Sequence, residues 1–320
     1  MSVVKIDTTI ANDRINDDLI QPFQLEVSSL RGRLVRLGPV LDKILNAHDY
    51  PNSVARLVTE TITLSLVLSS MLKYEGIFTL QSSSDGPVSM LVTDVTTKGH
   101  VRACASFDKD RIQDTAEKDL LGKGHLAFTV DQGMHTERYQ GIVSIENGSL
   151  EESIQHYFSQ SEQIGTGLRM AVQAPEEGAK TGWRAGAIML QHLPEHGEHL
   201  DHKQRKDISF KEDSTDMEED WRRANILLDT CTAEEFLAPA LDGNELLVRL
   251  FHEEGVRVYT PTHVIKKCRC SRERIEGILK TLSEEELQES AEKSKIEICC
   301  EFCNEQYLFK LDDILGARDA

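Results

Sequence analysis

Residues 268–303, CRCSRERIEGILKTLSEEELQESAEKSKIEICCEFC, begin with a Cys-x-Cys motif and end with a Cys-x-x-Cys motif. Five of the 7 cysteines of the chain lie in this stretch. Four thiolates from two close pairs form a tetrahedral zinc site, and soft sulfur ligands favour Zn²⁺ over Mg²⁺ or Ca²⁺. The spacing therefore predicts one Zn²⁺ ion with four ligands, Cys268, Cys270, Cys300 and Cys303.

The adjacent Cys299 and Cys300 compete for one place in this site. The Cys-x-x-Cys spacing selects Cys300 as the partner of Cys303 and leaves Cys299 as a bystander. The remaining two cysteines, Cys104 and Cys231, lie in apolar stretches and are predicted to be packing residues.

Two roles for the metal remain open on spacing alone. The ion could staple a small domain whose apolar core is insufficient, or its thiolate ligands could also form a redox switch. The second role is compatible with the spacing, because the two cysteines of each motif are close enough in sequence to form a disulfide once the metal is lost.

The composition argues against several classes of protein. The net charge of −18 disfavours nucleic-acid binding, because neutralising phosphates requires Lys and Arg. The first residues, MSVVKIDTTIANDRINDDLI, lack the features of a secretory or transit peptide, and no run reaches the roughly 18 apolar residues of a membrane span. Free cysteines without an export signal predict a reducing, cytoplasmic location, where paired cysteines more often bind metal or sense oxidants than staple a fold.

Hydrophobic periodicity predicts an α+β fold with a mainly antiparallel sheet. Helical spacing follows Gly38-Pro39, and a longer, mostly apolar stretch after Pro51 predicts a buried core helix. Strand patterns begin at Gly76, recur to about residue 193 and return at Val256–Tyr259, with a turn predicted at 84–87. Ser283-x-x-Glu286 predicts a helix that begins with a capping box. The predicted division is an N-terminal tail at 1–21, an α+β domain at 22–195, an acidic helical linker at 196–255 and a small Cys₄ zinc domain at 256–320.

The predicted linker carries 16 Asp and Glu against 7 Lys and Arg. Its histidines His196, His199 and His202 are interpreted as part of a solvated polar segment rather than as a metal site. Further along, residues such as Trp221 and Leu228 form an apolar helical stripe. Short amphipathic helices draw their stability from packing on a neighbour. The linker is therefore predicted to be conditionally folded, helical when docked and loose without support.

Two other functions share the cysteine pattern. A nucleic-acid-binding zinc ribbon would need a basic face, but residues 256–320 carry 11 Lys and Arg against 13 Asp and Glu. A thiol–disulfide oxidoreductase using Cys300 and Cys303 would place its motif at a helix N-terminus, whereas a strand-like run follows here. The sequence contains no nucleophile–base constellation, P-loop or dinucleotide fingerprint. No catalytic residue is therefore assigned, and the protein is predicted not to be an enzyme.

Further short motifs accompany the cysteines. They are CRCSRER at 268–274, CEFCN at 300–304, FHEE at 251–254, HDYP at 48–51, DGP at 85–87, ERYQG at 137–141, YF at 157–158 and SEQ at 161–163. Together they resemble the 33 kDa chaperonin family of redox-regulated heat-shock chaperones over roughly residues 22–315. They also occur in the same order as in that family. The chain departs from the family in having Cys299 as an additional thiol and a longer acidic, histidine-rich stretch around 196–220.

The resemblance implies an ATP-independent holdase that is inactive while reduced and zinc-bound. Oxidants such as peroxide or hypochlorite, often with heat, would convert the zinc ligands into the disulfides Cys268–Cys270 and Cys300–Cys303. The resemblance also implies that zinc is then released, that the linker unfolds, and that unfolding client proteins are bound and kept from aggregating under oxidative stress. A monomer when reduced and a homodimer when oxidised are expected, with neither nucleic acid nor membrane as a partner.

Overall fold

The computed structural model describes residues 17–113, 115–133, 139–145, 149–158, 165–176, 182–192 and 214–316. Its strands are β1 (Leu19–Leu25), β2 (Leu30–Leu37), β3 (Ile77–Ser84), β4 (Val88–Thr96), β5 (His100–Phe107), β6 (Gly124–Asp131), β7 (Tyr139–Ile145), β8 (Thr166–Gln173), β9 (Arg184–His192), β10 (Val256–Val258), β11 (Thr262–His263), β12 (Ile265–Lys266), β13 (Lys295–Cys299) and β14 (Gln306–Lys310). Its helices are α1 (Pro39–Leu45), α2 (Asn52–Met71), α3 (Lys109–Gln113), α4 (Leu150–Tyr157), α5 (Ser214–Asp229), α6 (Ala233–Leu237), α7 (Gly243–Phe251), α8 (Arg272–Leu279), α9 (Glu284–Glu289) and α10 (Leu311–Gly316). The predictions for residues 1–16, for the three linker histidines and for residues 161–163 lie outside the described residues.

The chain divides into two compact units. Unit 1 holds the described residues of Met1–Leu41, Leu66–Lys73 and Ser149–Val264. Unit 2 holds the described residues of Asp42–Ser65, Tyr74–Gly148 and Ile265–Ala320, and therefore includes the cysteine motifs.

Unit 1 is built on sheet 1, an antiparallel sheet with the strand order β10-β1-β2-β9-β8. Strand β11 also pairs with β1. Strand β9 is buried from Ala185 to Gln191. Burial on both faces explains why the sequence of this strand, AGAIMLQ, is a nearly continuous apolar run instead of an alternation of apolar and polar residues.

Gly32 on β2 allows the close packing of sheet 1. It lies opposite Phe23 on β1, and a Cβ at residue 32 would overlap the Phe23 ring, which is itself buried.

We expect Gly32→Ala to lower the free energy of unfolding by about 1–3 kcal/mol in urea denaturation, because overpacking strains a closed core. Gly277→Ala on α8, where an added Cβ meets nothing within 4 Å, is the matched control and should be neutral or slightly stabilising. Equal losses in the two variants would contradict this explanation.

Unit 2 contains sheet 2, with the strand order β12-β5-β4-β3-β6-β7. Its strands are antiparallel except that β12 runs parallel to β5. The turn predicted at 84–87 joins β3 to β4. There Asp85 Oδ1 accepts a hydrogen bond from the Lys123 N–H at 2.7 Å, and Gly86 lies against the Leu120 carbonyl, where no Cβ fits. The DGP motif is thus a structural turn.

Helix α2 is the core helix that its apolar pattern predicted. Within the described residues it is the one helix long and apolar enough to cross a membrane, but 83% of its apolar 18-residue window is buried inside the protein. Four of its buried hydroxyl groups, on Thr59, Thr61, Thr63 and Ser65, each donate to the carbonyl four residues earlier. These four hydroxyl groups are therefore buried with their hydrogen bonds satisfied within the helix.

The predicted α+β class with mainly antiparallel strands is confirmed, and the strands form two large sheets and the small β13–β14 hairpin where one sheet was predicted. Strands β1 and β2 were not predicted, because the arginines and glycine of Leu30–Leu37, LRGRLVRL, break the simple alternation. The strand predicted at Val256–Tyr259 is present as β10, and its partner is β1, more than 200 residues earlier in the chain. Local patterns do not reveal such a pairing.

Candidate metal centre

Four cysteine sulfurs meet in unit 2. The Sγ atoms of Cys268, Cys270, Cys300 and Cys303 all lie within 4.8 Å of one another. The Sγ atoms of Cys268 and Cys300 are 3.6 Å apart, and those of Cys270 and Cys303 are 3.4 Å apart. The structure therefore brings together the four residues that the motif spacing singled out.

The geometry of this cluster fits a zinc ion. A tetrahedron with Zn–S bonds of about 2.3 Å has S–S edges of about 3.8 Å, close to the observed separations. Within the part of the chain that the structure describes, this is the one group of three or more potential metal ligands at such short range. A donor set made only of sulfur favours zinc over hard cations.

The Cys-x-x-Cys motif forms the turn between β13 and β14. The N–H groups of Cys303 and Asn304 both donate to the Cys300 carbonyl, at 3.3 and 2.8 Å. The Cys300 N–H donates to the Glu305 carbonyl at 2.9 Å, and Asn304 has a φ of 58°, a left-handed conformation that Asn tolerates. The motif therefore lies between two strands, unlike the helix N-terminus at which reactive dithiols are often activated.

The Cys-x-Cys motif lies at the edge of sheet 2. It follows β12, and the Lys267 N–H donates to the Val101 carbonyl of β5 at 3.0 Å. Immediately after the motif, the Ser271 side chain caps α8 by accepting from the Arg274 N–H at 3.2 Å. A sheet edge on one side and a helix cap on the other therefore fix the backbone around the first two sulfurs.

Three of these thiols, Cys268, Cys300 and Cys303, have shifted pKa values. Burial alone would raise the pKa of Cys268, but hydrogen bonds from the Cys270 backbone and from the neighbouring thiols outweigh burial and lower that pKa to about 6. Burial raises the pKa values of Cys300 and Cys303. Cys268 is thus a thiolate near neutral pH in the reduced cluster, the form that binds metals and reacts with oxidants.

The other three cysteines lie outside the cluster. Cys299 is exposed, and its Sγ donates to Asn304 Oδ1 at 2.9 Å. Cys104 is buried and Cys231 is half-buried against apolar side chains, and burial raises the pKa of each thiol to about 12. The prediction that Cys104 and Cys231 are packing residues is confirmed.

The segment from Cys268 to Gly316, here called the cysteine module, has a small apolar core. Its buried side chains are Leu279, Leu287, Ile296, Phe309 and Ile314. A capping box between Ser283 and Glu286 starts α9, as the sequence pattern suggests. A core of this size rarely supports a fold without a staple, so the module is a structure that a metal can stabilise.

Helices α5, α6 and α7, here called the linker helices, pack on sheet 1 in unit 1. The sheet contributes Phe23, Leu25, Leu30, Leu34, Ile188 and Leu190 to their shared apolar cluster. The helices contribute Ala224, Leu228, Phe236, Leu237, Leu246, Leu247, Leu250 and Phe251. The described part of the predicted linker is therefore helical and docked.

Buried arginines of sheet 1 also hold the turn after α6. Arg36 is only 1% exposed, and it donates to the carbonyls of Ala238 and Leu241. Its charge lies beside Asp17, which also forms a bidentate ion pair with Arg184 at 2.8 and 2.9 Å. Sequence reasoning missed this contact, because its members are about 200 residues apart and no local pattern marks them.

Comparison with known proteins gives one consistent result. The family model described as "Hsp33 protein" matches residues 18–310. A 33 kDa chaperonin of Caulobacter vibrioides is 36% identical over 314 residues, covering 95% of this chain and 98% of the relative. Those of Pseudomonas fluorescens and Shewanella loihica are 35% and 33% identical, over 94% of this chain and 94% and 95% of the relatives.

A solved structure also resembles this fold. The crystal structure of the 33 kDa chaperonin from Thermotoga maritima superposes with a TM-score of 0.74 at 20% identity, covering 94% of this chain and 98% of that one. At this level of identity the likeness concerns the fold.

Proposed function

The chain belongs to the Hsp33 family, and on that premise we propose that it is a redox-regulated, ATP-independent chaperone. It binds unfolding proteins and keeps them from aggregating under oxidative stress. Its cysteine cluster is the switch, inactive while the thiols are reduced and metal-bound and active once they are oxidised. The protein acts as a binder, and no catalytic residue is assigned.

The observation that supports a redox switch is the half-buried cluster of four sulfurs itself. Its members are within 4.8 Å of one another, yet each cysteine is only partly buried, so small oxidants can approach them. The lowered pKa of Cys268, about 6, adds a thiolate where an oxidant would react. A metal staple would also need the thiolate, but it would not need access for an oxidant.

The chemistry assigned to the cluster involves two disulfides. Bound Zn²⁺ would hold Cys268, Cys270, Cys300 and Cys303 as thiolates and contribute folding free energy, on the order of 10–16 kcal/mol in finger peptides. Oxidation joins Cys268 to Cys270 and Cys300 to Cys303. Each pair gives up two electrons to the oxidant, and peroxide is thereby reduced to water.

Disulfide formation also changes how the module is held. The short sulfur contacts, 3.6 and 3.4 Å, run between the two motifs, so pairing within each motif removes the reason for the motifs to stay together. Sulfurs in disulfides no longer supply four thiolate ligands. The cysteine module is then left with its small core and unfolds.

Release of the linker helices is the second step. The chain runs from α7 through the short strands β10, β11 and β12 to the first motif, so unfolding of the module is transmitted along a short connection. Helices of this length are marginal without packing. Their departure uncovers the apolar side chains of sheet 1, and a large apolar patch of this kind binds unfolded clients.

The functional division that we propose keeps the limits predicted from the sequence. Residues 22–195 bind clients, residues 196–255 are the acidic metastable linker, and residues 256–320 are the redox-switch domain. The newly uncovered apolar surface can bind a second copy of the chain. This accounts for the change from a monomer when reduced to a homodimer when oxidised. We assign the protein to the reducing cytoplasm, without a nucleic-acid or membrane partner.

Light scattering by citrate synthase as it unfolds at raised temperature tests this function. We expect the peroxide-treated chain to suppress scattering and to have released its zinc to a chromogenic chelator, whereas the reduced, zinc-loaded chain does neither. Re-reduction in the presence of zinc is the control and should restore the inactive state. Equal suppression by the reduced and oxidised forms would refute the switch, and no suppression by either would refute the chaperone activity.

A further inference from the structure

A buried carboxylate of sheet 2 holds the Cys-x-Cys motif. Asp94, on β4, has a side chain that is only 7% exposed. Its Oδ2 accepts hydrogen bonds from Arg102 on β5, at 2.8 Å from Nε and 2.7 Å from Nη2, and from Nη2 of Arg269. Its Oδ1 accepts from the Thr79 hydroxyl at 2.6 Å. Since Arg269 stands between Cys268 and Cys270, one side chain connects the carboxylate to the Cys-x-Cys motif.

Arg102 connects Asp94 to both cysteine motifs. Its Nη1 lies 3.9 Å from the Sγ of Cys268, in the first motif. Its guanidinium carbon lies 3.8 Å from the ring centroid of Phe302, which stands between the two cysteines of the second motif. One side chain therefore touches each half of the sulfur cluster.

This network stands on rigid elements. Asp94 and Arg102 are direct partners in the register of β4 and β5, and β4 is itself paired with β3. The side chains of Arg102 and Arg269 are 15% and 27% exposed, so their charges are largely withdrawn from water. Two largely buried guanidinium groups repel each other unless a carboxylate lies between them. The carboxylate of Asp94 lies between those of Arg102 and Arg269.

We propose that Asp94 is the positioning residue of the cysteine cluster. Through Arg102 and Arg269 it fixes the two motifs in the arrangement in which the four sulfurs meet. A disulfide between Cys268 and Cys270 spans the single residue Arg269, so its formation changes the backbone conformation at Arg269. Oxidation therefore breaks the Asp94–Arg269 contact and detaches the motif from sheet 2. The proposal rests on the proposed function in that the cluster binds zinc and in that oxidation closes the Cys268–Cys270 disulfide.

Asp94→Asn is the variant that tests this role. The amide keeps the shape of the side chain, its oxygen still accepts from an arginine, and its NH₂ group can donate to Thr79, so sheet 2 should stay folded. Competition with a chromogenic chelator on the reduced full chain should show zinc affinity about 10-fold weaker, the size of effect typical for partners that orient metal ligands. Peroxide should also oxidise the thiols of this variant faster.

The matched control is Asp110→Asn, the same substitution at an exposed position on α3 in the same unit. Its zinc affinity and its oxidation rate should equal those of the unchanged chain. Circular dichroism of each variant reports whether the sheets remain folded. If Asp94→Asn fails to fold, the Arg269 variants, at the exposed side of the network, provide the test.

A double-mutant cycle separates positioning from general destabilisation. Arg269→Gln alone should weaken zinc binding by part of that factor, and the double variant should lose no more than Asp94→Asn alone, because both changes act on the shared Asp94–Arg269 contact. Arg269→Lys, which keeps the charge, should recover part of the affinity. Unchanged zinc affinity in Asp94→Asn, or losses that multiply in the double variant, would overturn the proposal. A wild-type chain that binds no zinc would instead refute the proposed function.

Discussion

The reduced Cys300→Ser variant is expected to bind zinc about 100- to 1000-fold more weakly than the unchanged chain. A serine hydroxyl is neither a soft ligand nor ionised at neutral pH. If four ligands share the roughly 10–16 kcal/mol of a structural zinc site, one ligand accounts for roughly 2.5–4 kcal/mol, which corresponds to that ratio. The cysteine module, with its five buried apolar side chains, should then unfold, and the chain should suppress aggregation without oxidant.

Cys299→Ser is the matched control, because it makes the same change one residue earlier on an exposed side chain outside the cluster. Its zinc affinity should be unchanged. Chelator competition measures the affinity of both variants, and hydrogen exchange of residues 272–316 reports whether the module is folded. Equal losses in the two variants, or a loss confined to Cys299→Ser, would show that the ligand assignment is wrong.

The position of the cluster could be predicted because its four cysteines come in two short motifs. Spacing within a motif limits where a sulfur can lie, so Cys300 could be preferred to Cys299 before any coordinates were known. Short-range sequence patterns also predicted the Ser283–Glu286 capping box and the turn at Asp85. The capping box joins residues three positions apart, and Asp85-Gly86-Pro87 is a local turn sequence, whereas the Asp85–Lys123 hydrogen bond that holds the turn spans 38 positions and was not predicted.

The surroundings of the cluster could not be predicted, because they depend on sheet register. Asp94 lies 175 positions from Arg269, and only the pairing of β4 with β5 places Arg102 beside both motifs. The pairing of β10 with β1 and the contact of Arg36 with the turn after α6 are of the same kind. A sequence pattern shows that a segment is amphipathic, but which surface packs against its apolar face depends on the tertiary structure.

Phe251→Ala is expected to release the linker helices while zinc stays bound. Phe251 is fully buried at the end of α7, and its ring stacks on Phe23 of sheet 1 with centroids 6.1 Å apart. Truncating a buried Phe to Ala costs about 3–5 kcal/mol. A nine-residue helix has little stability of its own to offset this loss, so the docked state of α7 should become a minor one.

The control for this variant is Val248→Ala, on the same helix but 46% exposed, which should leave docking intact. Hydrogen exchange should show loss of protection in residues 243–251 of the Phe251 variant, with β2 and β9 still protected and one zinc retained. Under the proposed order of events, this reduced, zinc-bound chain should already suppress aggregation. Suppression would show that freeing the linker is sufficient for activity without zinc loss. An undocked linker without chaperone activity would mean that clients bind elsewhere, and the uncovered face of sheet 1 would have to be abandoned as the client site.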